Sequence, residues 1–169
     1  TMGYKLSHHP LLSLFEDLLN LYSNKKTTLK QSNKEAQKYL KTDMLKLLKN
    51  SYFRLILDFK DINLKNLLIN KIKTTNLNYI TFLDIQELKQ IDKGILKNIF
   101  LKPSETGLDL VNIFLEFISL LLSSIVSQND ASMIEQECLF KIEEQLLLFK
   151  QFIKQSNENI NLKLFSSLF

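Results

Sequence analysis

Apolar residues recur along this chain at intervals of three and four, the spacing of one face of a helix, more often than they alternate. Leu11, Leu14, Phe15, Leu18, Leu19 and Tyr22 make such a face, with Glu16, Asp17 and Asn20 opposite. Pro10 precedes it and suits a first turn, where its missing N–H costs nothing. Ser23 to Gln31 is polar and reads as a loop. A second helix is expected from Ser32 or Asn33, either of which can cap it, with Glu35 in its first turn. Ala36, Leu40, Met44, Leu47 and Leu48 would be its apolar face. Beyond Asn50 almost no polar side remains, and the pattern favours one continuous helix over a break at Asn50-Ser51.

Asp61 or Asn63 is positioned to cap a third helix through about Lys73, built on Leu64, Leu67, Leu68 and Ile72. From Thr74 to Leu83 the period is lost. Tyr79, Thr81 and Phe82 favour strands, but one short run without a second strand makes no sheet. The segment is therefore expected to be an extended connector. Asp84 followed by Glu87 resembles a capping box and opens a helix towards Leu101, weakened by Gly94.

The run Leu110–Val126 is the most apolar stretch. Asn112, Glu116, Ser119 and Ser123 fall at steps of four, three and four, a thin polar stripe on an otherwise apolar cylinder. Such a helix is expected to be wrapped by its neighbours at the centre of the fold, and is read as a core helix, not a membrane span. Thr106 with Asp109 opens it in box-like fashion. Ser132-x-x-Glu135 then caps a long amphipathic helix whose face is Ile134, Cys138, Ile142, Leu146, Phe149 and Ile153.

These elements predict an all-α fold, a single domain over residues 1–169. It would be a helical bundle or compact helical array of six to seven helices, with the central hydrophobic helix at about 108–127. Residues 156–169 are read as a tail or docking strap. Three Gly and two Pro in 169 residues agree with long helices and short connections.

Charge changes the picture more than composition does. Net charge is +4, almost wholly from lysine, since Arg54 is the only arginine. Specific base readout leans on bidentate arginine contacts, so it is disfavoured, whereas unspecific phosphate contact is not. Between Lys25 and Lys49 eight lysines face only Glu35 and Asp43, while between Glu105 and Glu144 eight acids face only Lys141. Lys30, Lys34, Lys38 and Lys41 are the candidates for contact with phosphate or an acidic partner.

No catalytic constellation emerges. His8 and His9 are adjacent and placed by sequence at a fraying terminus, where they cannot chelate as a helical i,i+4 pair does. Glycines are too few for a phosphate-cradling loop. Acids crowd Glu135–Glu144, but no Glu-x-x-His accompanies them. Glu116 is the one carboxylate flanked by apolar turns, and its stripe is read as facing solvent or a polar seam. Cys138 reads as a small buried hydrophobe. The expectation is a chain with no catalytic residue, no metal and no cofactor.

What remains is interaction. Leu162, Leu164, Phe165, Leu168 and Phe169 follow the last good helix and are candidates to contact a partner protein. The sequence therefore reads as a non-enzymatic interaction or scaffold domain of a larger intracellular complex, cytoplasmic or nuclear. The alternative is a nucleic-acid-associated domain using the Lys25–Lys49 face.

Overall fold

The computed structural model describes residues 9–29, 35–57, 62–81, 99–100, 106–128 and 133–156. In chain order these contain α1 (Leu11–Ser23), β1 (Lys26–Leu29), β2 (Glu35–Leu40), α2 (Lys41–Lys49), α3 (Ser51–Leu57), α4 (Ile62–Thr74), β3 (Tyr79–Thr81), α5 (Gly107–Gln128) and α6 (Met133–Ser156). The fold is mostly helical with a small sheet, so the all-α expectation is corrected. The chain divides into two compact units, one of residues 16–103 and one of residues 1–15 with 104–169.

The first unit holds the sheet, in the order β1-β2-β3 with both pairings antiparallel. Lys26 lies opposite Lys38, which in turn lies opposite Thr81; Tyr39 lies opposite Ile80. The loop expected at Ser23–Gln31 thus contains β1, the helix expected from Ser32 begins as β2, and the connector at Thr74–Leu83 supplies β3. Ala36 and Leu40 satisfy a helical spacing, but the backbone gains more by pairing on both sides of β2. The strands are short, and it is their mutual pairing that makes each viable.

Helix α2 follows β2 directly and packs on β2, α3 and α4. Asp43 sits in its first turn and Lys46 and Lys49 in its last, each complementing the helix dipole. Asn50 ends it in an extended conformation, its N–H donating to the Lys46 and Leu47 carbonyls. The Asn50 Oδ1 then accepts from the backbone N–H groups of Tyr52, at 3.1 Å, and Phe53, at 3.4 Å, capping α3. One residue both stops a helix and starts the next, which overturns the expected continuity. The Asn50 side chain also donates to Asp17 of α1 at 3.1 Å, and Asn24 just beyond α1 donates to buried Asp43 at 2.8 Å. Helix α1 and its following residue therefore hold α2 at both ends.

Tyr39, Met44, Leu47, Leu48, Phe53, Leu68, Ile72 and Ile80 are buried in this unit. Tyr22 donates its hydroxyl to the Ile99 carbonyl at 2.9 Å, and Tyr39 donates to that of Phe100 at 3.0 Å. The Tyr39 ring meets the Phe100 ring edge to face at 5.4 Å. Burial pushes the Tyr39 phenol well above its usual range.

The second unit is built on the pair α5 and α6. At the start of α5, Thr106 donates through both N–H and Oγ1 to Asp109 Oδ2, at 3.1 and 2.8 Å, and accepts the Asp109 N–H at 3.2 Å. This is the reciprocal cap expected from the sequence, with Asp in place of the usual Glu. Phe114, Phe117, Leu121 and Ile125 are buried, as expected, and Phe114 stacks on Phe15 at 4.1 Å between ring centres. The residues from Gly107 to Ile125 are long and apolar enough to cross a membrane, judged by length and composition alone. Helix α5 is not wrapped on every side: Asn112, Ser119, Leu120 and Ser123 are exposed.

Candidate interaction surfaces

Of the lysines proposed for phosphate contact, Lys30 and Lys34 lie outside the described residues. Lys38 and Lys41 do not share a helix face. Lys41 opens α2, and its ammonium donates to the Lys73 and Thr75 carbonyls at 2.8 and 2.7 Å. Thr74 and Thr75 add hydroxyl bonds to the carbonyls of Asn70 and Lys71. Lys41 is thereby a cap for the C-terminal end of α4, where the free carbonyls favour a cation. Lys38 is on the central strand, half-buried, opposite exposed Lys26. The Lys26 ammonium lies 4.3 Å from the centre of the Tyr79 ring, a cation–π contact.

Among the described residues no three His, Cys, Asp or Glu side chains are grouped so as to hold a metal ion. His9 is buried, not frayed: its Nδ1 accepts the Leu11 N–H at 3.1 Å and caps α1. That bond requires a bare Nδ1, hence the imidazole without its second proton. Burial holds the His9 imidazole below its usual range, against a smaller opposite pull from the Glu135 carboxylate. Cys138 is buried on the α5-facing side of α6, and Glu116 is half-exposed. Leu162, Leu164, Phe165, Leu168 and Phe169 lie outside the described residues.

The feature the sequence reading missed is the outer side of α6. Cys138, Leu139, Ile142, Leu146 and Ile153 are its buried face. Ile134, expected on that face, is 65% exposed. Phe140, Leu147, Leu148 and Phe152 are between 45% and 57% exposed. At about 100° per residue they are spread over roughly 140° of the circumference outside the buried face, Phe140 and Leu147 on one edge and Leu148 and Phe152 on the other, with Glu137, Glu144 and Gln151 between. The signal was present in the sequence as a second set of large apolar residues spaced seven, one and four apart. Glu137 and Lys141 lie on the same outer side, joined by a 2.9 Å ion pair. The hydrogen bond and charge of Glu137 hold the Lys141 ammonium above its usual range. Comparison of the chain with protein families, curated sequences and solved structures finds no match in any of the three.

Proposed function

We propose that this chain is a non-enzymatic interaction module that engages a partner protein through the outer side of α6. The observation that carries the reading is the exposure of Phe140, Leu147, Leu148 and Phe152 on one helix whose opposite side is already packed. Single exposed apolar residues are ordinary on protein surfaces, whereas four large ones on one helix are the kind of anchor that helix-mediated association uses. A benzophenone side chain placed at Leu148 tests this. Irradiation in an extract should give a discrete protein adduct, and the same group at Ser119 on the exposed side of α5 should not. Equal adducts at both positions, or none at Leu148, would remove the proposal.

A second reading, phosphate contact through the sheet, is favoured by one observation. Lys26 and Lys38 are directly opposite each other on paired strands, an arrangement that costs stability unless an anion lies over it. The variant Lys26→Gln/Lys38→Gln should lower the salt dependence of single-stranded nucleic-acid binding by roughly 1 to 2 in slope. Absence of binding at low ionic strength would end this reading.

A further inference from the structure

Helices are capped as a rule by Ser, Thr, Asp or Asn, none of which changes charge between pH 5 and 8, whereas α1 is capped by a histidine. The Nδ1 of His9 accepts the Leu11 N–H at 3.1 Å, and the residue is 6% exposed. Pro10 brings no N–H, so Leu11 supplies the first donor of the helix, and the imidazole satisfies it. The rest of the turn closes without the ring. The Leu12 N–H donates to the His9 carbonyl at 3.0 Å, and the Ser13 N–H and hydroxyl donate to that of Pro10 at 3.1 and 2.7 Å. Leu11, Leu14, Phe15 and Leu18 are fully buried and anchor α1 through its first two turns.

We propose that His9 is an acid-operated latch on the first turn of α1: neutral, it holds the Leu11 N–H; protonated, it lets go and turns to the Glu135 carboxylate of α6. The neutral tautomer carries its proton on Nε2 and keeps the Nδ1 lone pair for Leu11. A second proton takes that lone pair and sets N–H against N–H, so the cap and the imidazolium exclude each other. Protons therefore bind the open turn in preference to the closed one, in accord with the lowered affinity of the closed ring for them. Among the described residues, Glu135 is the charged group whose field reaches the ring. It stands in the first turn of α6, on the side of that helix shared with buried Ile142 and Ile153. The nearest acids on α1, Glu16 and Asp17, lie two turns further along. On α5, Asp109 is held by Thr106, and Glu116 lies two turns beyond it. Opening thus gives the imidazolium one carboxylate to meet, and the buried residues of α1 keep the movement to the first turn.

Nitrogen-15 NMR of the full chain carrying His8→Gln, which leaves His9 as its one imidazole, tests the latch. At pH 7.5 the ring shifts should be those of the Nε2–H tautomer. As the pH falls to 5, exchange of the Leu11 amide, corrected for the pH dependence of exchange itself, should rise roughly tenfold, the size of a lost cap. The amides of Leu14 and Phe117 should stay protected. His9→Asn, which caps without titrating, should remove the rise, and Glu135→Gln should move it to lower pH. A Leu11 amide indifferent to pH would overturn the inference, as would an Nδ1–H tautomer at pH 7.5. A rise shared equally by Phe117 would overturn it too, because the fold would then be opening as a whole. A rise that survives His9→Asn would assign the response to another group, and one unmoved by Glu135→Gln would overturn the turn towards α6.

Discussion

Helix α5 is the more apolar of the two long helices, yet Asn112, Ser119 and Ser123 are the bulk of what it turns to solvent. Helix α6 alternates acids, lysines and glutamines with its apolar residues, yet it exposes Phe140, Leu147, Leu148 and Phe152. The difference is one of arrangement. In α5 the few polar residues are concentrated in one narrow stripe, so a single side satisfies them while the rest packs. In α6 the apolar residues are distributed around most of the cylinder, interleaved with polar ones outside the buried face, and packing can use only that face. Average apolarity therefore does not tell which helix has surface to offer, whereas the angular distribution does.

The largest expected effect separates the two helices by stability. Phe117→Ala empties a fully buried site on α5 and should cost about 3–5 kcal/mol in denaturant unfolding. A loss below about 1 kcal/mol would mean that α5 is no better buried than its partner. The entry to α5 comes next. Asp109→Ala removes the acceptor for both Thr106 donors and should cost about 1 kcal/mol, in the range of lost caps. An unchanged midpoint would show that the start of α5 is held by other contacts.

A smaller effect concerns α1, whose Phe15 stacks on α5. His9 binds protons less readily folded than unfolded, so its contribution is fully present above about pH 6.5 and declines as the pH falls from there towards the lowered folded value. Thermal melts between pH 7.5 and 5 should show this slope, and His9→Asn, which keeps a capping side chain without titrating, should flatten it. An identical slope in the variant would assign the pH response elsewhere. The smallest effect is on α6: Phe152→Ala should shift stability by less than about 0.5–1 kcal/mol, because the ring is already more than half exposed. A loss comparable to that of Phe117→Ala would erase the contrast between the helices.

Helical period made α1, α4, α5 and α6 legible from sequence, and the Thr106–Asp109 cap was legible because its chemistry is local. The sheet was not. Glu35–Leu40 places Ala36 and Leu40 four apart, which mimics a helix, and the counter-evidence lies in the partners Lys26–Leu29 and Tyr79–Thr81, far away in the chain. The break at Asn50 was visible as an alternative, but the deciding bonds to Tyr52, Phe53 and Asp17 depend on which way one amide turns. For Lys38 and Lys41 a shared helix face is lost with the helix it was drawn on: with β2 extended, Lys38 lies opposite Lys26, and Lys41 turns to the end of α4. The outer side of α6 is hard to read from sequence because one apolar face already satisfies the helical period and the remaining apolar residues are interleaved with Glu137, Glu144 and Gln151.

The two tyrosine hydroxyls that reach Ile99 and Phe100 span 77 and 61 residues of chain. Loop closure over such lengths must come before the bonds can form, so they carry an entropic cost that the bonds within each helix do not. During synthesis the chain from α1 to β3 emerges well before residues 99 and 100 do. Until then Tyr22 and Tyr39 have hydroxyls that need another acceptor, and water is the one at hand. The nascent chain should thus pass through a stage in which the sheet unit has its strands but not its closing bonds, and so is open to capture by a chaperone.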